Sequence, residues 1–289
     1  MTAAPQGYVT MAYGAPKFFE MAANLALSIR LNDAKRPITL IHKPDVAPAP
    51  HVAALFDRCV AFEDVARFPG VTIKLGIYEP TPYAEAFYVD ADCLLMKPDM
   101  DRHWAKFGAG DFNIAGSKRT SGAVFGLDVE KMKQAAGVGY VVDANCGIVF
   151  FRKSEAGRAV FETARTFCDR RLPERKEDRP RRGDGLSDQP FFSVAMAQAN
   201  ITPVSYEPAE GTLMATTWRA SDIDFDFDRG ASTLKKPTGF RVLDRFWAKG
   251  WVAHDTTFAH FIEMKPERLY QRLSDQLRDR YGVPRYQFV

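Results

Sequence analysis

A chain of 289 residues can bury a substantial core as one large domain or two, at the usual ~100–200 residues per domain. Its 46% hydrophobic and 26% charged content is that of a soluble globular protein. The 39 Lys+Arg against 36 Asp+Glu, net +3, argue against a nucleic-acid or membrane surface and leave room only for a local basic patch.

Four cysteines, Cys59, Cys93, Cys146 and Cys168, lie far apart with no CxxC pair. They indicate neither a zinc framework nor disulfides, and fit reduced thiols in a cytoplasmic enzyme. The N-terminal MTAAPQGYVTMAYG has no basic start ahead of an apolar core, so no signal peptide is expected. No apolar run reaches the roughly 18 residues of a membrane helix, which leaves peripheral membrane contact open. Gly7 to Ala12 reads as a first strand and Tyr13-Gly14-Ala15-Pro16 as a turn. A helix follows, with Phe18, Met21, Ala22, Leu25 and Ile29 at helical spacing. Pro37 ends that pattern, and Ile38 to His42 is a second strand. Strand, helix, strand is the order of an α/β fold with a mostly parallel central sheet and flanking helices. Val52 to Phe56 is a short helical patch, Cys59 to Phe62 a strand, and Thr72 to Tyr78 helical until Pro80 and Pro82.

Phe87, Tyr88 and Val89 end a buried strand that delivers Asp90 and Asp92. On extended backbone the two carboxylates point to one side and Ala91 to the other. Paired carboxylates in apolar surroundings are costly without a positive charge between them, and a divalent cation with oxygen ligands, Mn²⁺ or Mg²⁺, is one answer. The other is an Asp pair capping a turn through backbone N–H groups. Ligands of such sheets bind beyond the carboxyl ends of the strands. That puts Asp90, Asp92, Met11, Ala12 and Tyr13 on one rim, where Tyr13 either stacks on a nucleobase or simply packs.

Phe112 to Gly116 reads as a strand, and Asp128 caps a helix that stops near Gly137. Asn145 and Gly147 lead into an apolar strand, Cys146 to Phe151. Asn145 offers donors and acceptors to a sugar or phosphate, and Gly147 lets a ligand approach; turn geometry alone also accounts for both. Ser154 caps a helix carrying Val160, Ala164 and Phe167. From Arg170 to Asp184 the chain holds seven basic and four acidic residues with two prolines, either a solvated loop or a lid over an acidic group. Asp188 opens a helix with Pro190 in its first turn, and serves either as its N-cap or, with Gln189, in chemistry.

Ile201 to Tyr206 is a further strand. Asp222, Asp224, Asp226 and Asp228 then alternate with Ile223, Phe225 and Phe227. Arg229 and Lys235 stand where a calcium-binding loop needs Gly and Glu, so this is a strand with a solvated acidic face. Trp251 to Pro266 contains His254, His260 and Lys265; a histidine in such apolar surroundings is either structural or, near a carboxylate pair, completes a metal site through a neutral ring nitrogen. The last helix places Leu269, Leu273, Leu277 and Tyr281 on one face, as a covering element within 266–289.

The segments YVTMA, YVDAD, NCG, DQ and HFIEMKP follow one another from Tyr8 to Pro266, and in this order the chain resembles the family-8 glycosyltransferases. The resemblance implies a GT-A fold, here one domain over 1–289, and retaining transfer of a hexose from a nucleotide-sugar, usually a UDP-sugar, with Mn²⁺ or Mg²⁺. Carried over by position, Asp90 and Asp92 would bind the metal, Asp90 also reaching the ribose, with His260 as third ligand. Lys265 would hold the diphosphate and Lys74 would contact the donor. Asn145 would sit by the sugar or acceptor, and Asp188 and Gln189 by the donor sugar and reacting carbon. Attack on the same face of the sugar, with help to the leaving group, is preferred over a covalent carboxylate intermediate.

The chain also departs from the family pattern. Its His–Lys segment is one residue shorter, with Glu263 where relatives have Gly, which makes His254 a reserve ligand. The first strand ends without an Asp or Asn for the base, and Pro190 replaces an acidic residue. Two other classes compete: a catalytically silent nucleotide-sugar-binding protein, and a nucleotidyltransferase, which the lack of a Gly-rich basic loop after the first strand opposes. The acceptor, whether carbohydrate, lipid-linked or protein, is left open.

Overall fold

A computed structural model describes residues 5–63, 70–170, 187–207, 210–242 and 245–288, with 240–242 and 245–248 as backbone only. The charged run predicted as a loop or lid falls almost wholly outside these residues. The chain opens with β1 (Gln6–Ala12), α1 (Pro16–Asn32), β2 (Ile38–His42), α2 (Pro50–Ala53) and β3 (Arg58–Ala61). Pro16 sits at the start of α1, where its missing N–H has no helical partner to lose. A 3-10 helix at Gly70–Gly76 precedes β4 (Glu85–Val89) and β5 (Cys93–Leu95). Then come α3 (Met100–Phe107), β6 (Phe112–Asn113), β7 (Gly116–Arg119), β8 (Ala123–Val124), β9 (Leu127–Asp128) and α4 (Val129–Ala136). β10 (Val141–Ala144), β11 (Ile148–Arg152), α5 (Glu155–Asp169) and α6 (Gln189–Gln198) follow.

The central sheet has the order β3-β2-β1-β4-β11-β6. β11 is antiparallel to both neighbours and alone runs against the others. β1, β2 and β4 are buried along almost their whole length, as strands covered on both faces must be. The two predicted caps are in place: Asp128 accepts from Lys131 N and Ser154 from Gly157 N. Ile201 to Tyr206 is not a strand. It makes one bridge, Val204 with Ala115, because that sheet ends at the two-residue β6 and offers no long edge to pair with.

A second sheet is built from β12 (Thr212–Thr216), β13 (Ser221–Asp226), β14 (Ala231–Val242) and β15 (Arg245–His260), in the order β12-β15-β14-β13, with β5 also on β15. β13 exposes Asp222 and Asp224 and buries Phe225, the alternation read from sequence. β5 joins the sheets, because it follows β4 directly and sets Cys93 opposite His260. The final helix, α7 (Glu267–Tyr281), packs on α1. Its buried face is Tyr270, Leu273, Ser274, Leu277 and Arg278, whereas Tyr281 is exposed. The stripe is rotated from the predicted one because Arg278 buries itself on Glu20, Nη2 to Oε2 at 2.8 Å, and on Asn24. Among the described residues, no helix is long and apolar enough to cross a membrane.

His103 in α3 is enclosed between Tyr206 Oη and Thr257 Oγ1, each at 2.8 Å. Burial, helped by Arg102, pushes its pKa down to about 4 from the ordinary 6.5. A histidine held neutral by the fold contributes stability that is complete above its unfolded pKa and is lost as pH falls toward the folded value. Between pH 7 and pH 5 this residue is expected to cost about 2 kcal/mol of unfolding free energy. Urea unfolding of His103→Gln at both pH values checks this, since the variant lacks that part of the acid sensitivity.

Candidate active site

β1 and β4 lie side by side, and their carboxyl ends open on a cavity of ≈ 420 Å³. Met11, Phe18 and Ile73 supply apolar wall, while Lys74, Asp90 and Asp92 supply charge. Tyr13 also lines it, with its hydroxyl buried and unpartnered. Ala12, between Met11 and Tyr13, turns the other way into the core under α1.

The acidic pair is not on extended backbone. Asp90 to Cys93 is a tight turn closed by Cys93 N donating to Asp90 O at 3.0 Å. The turn alternative is therefore right about the backbone, but the carboxylates do not cap it. They go separate ways. Asp90 accepts from Tyr88 Oη at 2.7 Å and from Lys74 Nζ at 2.9 Å. Asp92 faces His260, Oδ1 to Nε2 at 3.1 Å. Tyr88 escaped the sequence reading, although alternation puts it on the same face as Asp90.

Lys74 is 7% exposed and rises from the 3-10 helix between two acids. Besides Asp90, it lies 3.3 Å from Asp188 Oδ2 and donates to Cys146 O at 3.3 Å. Burial alone would drive its pKa down, but Asp188 and Asp90 outweigh it and hold it well above the usual lysine value. Burial pushes the Asp188 carboxyl up, with Lys74 opposing and Asp90 adding to the rise. Asp188 occupies the N-cap position of α6, yet its side chain makes no cap bond. It faces Lys74 instead. Gln189, the first residue of α6, follows it directly.

His260 ends β15, 5% exposed, with Nδ1 buried and unpartnered. Burial works against a charged imidazole, but Asp92 wins and raises its pKa. Asn145 Oδ1 accepts from Gly147 N at 2.8 Å, and Gly147 O accepts from Asp90 N at 2.8 Å. Gly147 thus ties the acidic turn to β11. A Cβ there would stand 2.8 Å from His260 Cε1 and 2.9 Å from Nδ1, so the bare glycine makes room for the imidazole. Lys265 turns its ammonium to Glu263, 2.7 Å away, and is half-exposed. His254 lies six residues before His260 on the same strand, roughly 20 Å away at 3.3 Å per residue.

Among the described residues, the side chains grouped closely enough to hold a metal are Asp92, Cys93 and His260, with ligand atoms within 4.8 Å of one another. A carboxylate, an imidazole whose Nε2 faces it and a buried thiol form a donor set that fits a divalent cation. Gly147→Ala is expected to push the imidazole away from Asp92. It should cost about 1–3 kcal/mol of stability, read by urea unfolding, and weaken binding of any divalent cation that the site takes about 10–100-fold, read by titration calorimetry.

LgtC, a galactosyltransferase solved in complex with donor and acceptor sugar analogues, matches this structure with a TM-score of 0.55 at 15% identity, over 93% of this chain and 95% of that one. An active-site mutant of LgtC matches at 0.50, with the same identity and coverage. The chain has the GT-A fold. No protein-family model and no curated protein sequence matches it. Within this GT-A fold the cavity lies where open α/β sheets bind ligands, beyond the carboxyl ends of β1 and β4.

Proposed function

We propose that this chain is a metal-dependent, retaining glycosyltransferase that moves a hexose from a nucleotide-sugar, with a UDP-sugar as first choice, to an acceptor hydroxyl. The observation that carries this reading is the Asp92–His260 pair at 3.1 Å, with Asp92 lining an amphipathic cavity in a GT-A fold. Asp92 and His260 would hold the cation, with Asp90 as the second carboxylate and the Cys93 thiol close by. When bound, a divalent cation offsets the charge that develops on the departing diphosphate.

The remaining work falls to the chain's own side chains. The apolar wall around Met11 and Ile73, with Tyr13, takes the base. Lys74 neutralises Asp90 and Asp188 in the free protein and turns toward the donor's phosphates. Asp188 and Gln189 orient the sugar at the reacting carbon, Asn145 borders the acceptor side, and Gly147 keeps His260 on Asp92. Lys265 reaches the diphosphate only after leaving Glu263. The acceptor attacks on the face from which the diphosphate leaves, so no carboxylate is needed as a nucleophile. Release of UDP from a panel of UDP-sugars, with Mn²⁺ and with EDTA, tests this; turnover that ignores EDTA rules out the metal mechanism. The pairing of Lys265 with Glu263 favours one second reading, a donor-binding protein without transfer, for which calorimetry would show binding and no UDP would appear.

A further inference from the structure

Asp90 and Asp92 are neighbours in sequence, but only one of them stands with the other donors. Asp90 is taken up by Tyr88 Oη at 2.7 Å and Lys74 Nζ at 2.9 Å. It is not in the group whose ligand atoms lie within 4.8 Å of one another. The third member of that group, beside Asp92 and His260, is the fully buried Cys93.

Backbone pairing puts the thiol there. β5 and β15 are antiparallel with Cys93 directly opposite His260, and opposite residues project to one face of a sheet with Cβ atoms about 4.5–5.5 Å apart. One residue earlier, Asp92 O accepts from Phe261 N at 2.9 Å, while Asp92 Oδ1 meets His260 Nε2 at 3.1 Å. Strand pairing thus fixes thiol, imidazole and carboxylate relative to one another. Cys146, next to Gly147, is buried as well but is not in the group.

We infer that Cys93, ahead of Asp90, is the third protein ligand of the cation, and that the centre therefore prefers Zn²⁺ or Co²⁺ to Mn²⁺ or Mg²⁺. Carboxylates with an imidazole suit Mn²⁺, and a thiolate in place of one carboxylate moves the preference toward zinc. On binding, a sulfur–metal bond replaces the S–H bond and the proton goes to solvent, so that thiolate and carboxylate together balance the charge of the cation. Three protein donors with a fourth position open is the arrangement of catalytic rather than structural zinc. Of the three residues only Asp92 lines the cavity, which puts the fourth position on the side where a diphosphate would enter. The inference rests on the proposed placement of a cation at Asp92 and His260; it does not depend on transfer of a sugar.

The full chain, stripped with EDTA and reloaded with Co²⁺ in the presence and absence of UDP, tests this by absorption. A thiolate-to-cobalt charge-transfer band in the near ultraviolet is expected, lost in Cys93→Ser and kept in Cys146→Ser. Titration calorimetry should find Zn²⁺ bound at least about tenfold more tightly than Mn²⁺, and Cys93→Ser should close most of that gap. A packing defect at this buried position would weaken both ions together, so the ratio of the two affinities is the deciding quantity. Cobalt bound without the band, a band that survives Cys93→Ser, or a ratio equal in wild type and variant would overturn the inference. If UDP release from a UDP-sugar is still abolished by EDTA in that case, the metal-dependent reading stands and only the thiol is excluded. Failure of every ion to bind, with or without UDP, would overturn both.

Discussion

Asp92→Ala is expected to lower metal-supported turnover by about 10²–10³-fold while the protein stays folded. The backbone at Asp92 would be unaffected, since its carbonyl still accepts from Phe261 N and the turn still closes through Cys93 N and Asp90 O. What disappears is the carboxylate that faces His260 at 3.1 Å. Asp90 does not substitute for it, because Tyr88 and Lys74 already hold its oxygens. Mn²⁺ titration by calorimetry and UDP release at saturating metal read the two losses separately. If the variant binds Mn²⁺ and turns over like the wild type, the cation is not at Asp92 and the proposed mechanism fails.

The strand–helix alternation around Pro37 was readable because Gly, Pro and helical spacing act locally, and so were the caps at Asp128 and Ser154. The acidic strand Ser221–Asp226 was readable for the same reason, its period of two. Non-local facts were not. Nothing near Asp90 decides between the turn and the extended strand, and nothing announces that Lys74 and Asp188, far apart in sequence, meet beside it. The long hairpin of β14 and β15 was missed because each strand is set by its pairing with the other, which no local pattern announces. The strand expected at Ile201 to Tyr206 failed for lack of an edge to pair with, and the α7 stripe was misread because a buried arginine took a place that the pattern reserves for apolar residues. Gly147 reads from sequence as an opening for a ligand, yet the group that fills the space is His260.

Lys74→Met should show how much of this site is held together by one buried cation. The methionine keeps most of the apolar volume, so packing is little disturbed, but Asp90 and Asp188 lose the charge between them. Removing one partner from a buried ion pair costs about 3–5 kcal/mol, because the remaining charge stays desolvated. Urea unfolding near neutral pH is expected to show a loss of that order. The sign of its pH dependence follows from Asp188, whose carboxyl is already pushed up by burial and loses the lysine that opposes the rise. An acid with a folded pKa above its unfolded value contributes stability below the unfolded pKa and loses it as pH rises through the folded one. The deficit of the variant should therefore shrink on acidification toward pH 5 and grow toward pH 8. A deficit that is flat with pH would mean that the lysine is held by packing alone. An unchanged stability at both ends would mean that the Lys74–Asp188 contact at 3.3 Å contributes nothing to the fold. Donor binding should weaken together with stability, since Lys74 is also the cation proposed to turn toward the phosphates, and calorimetry with UDP at pH 7 separates that loss from the unfolding deficit.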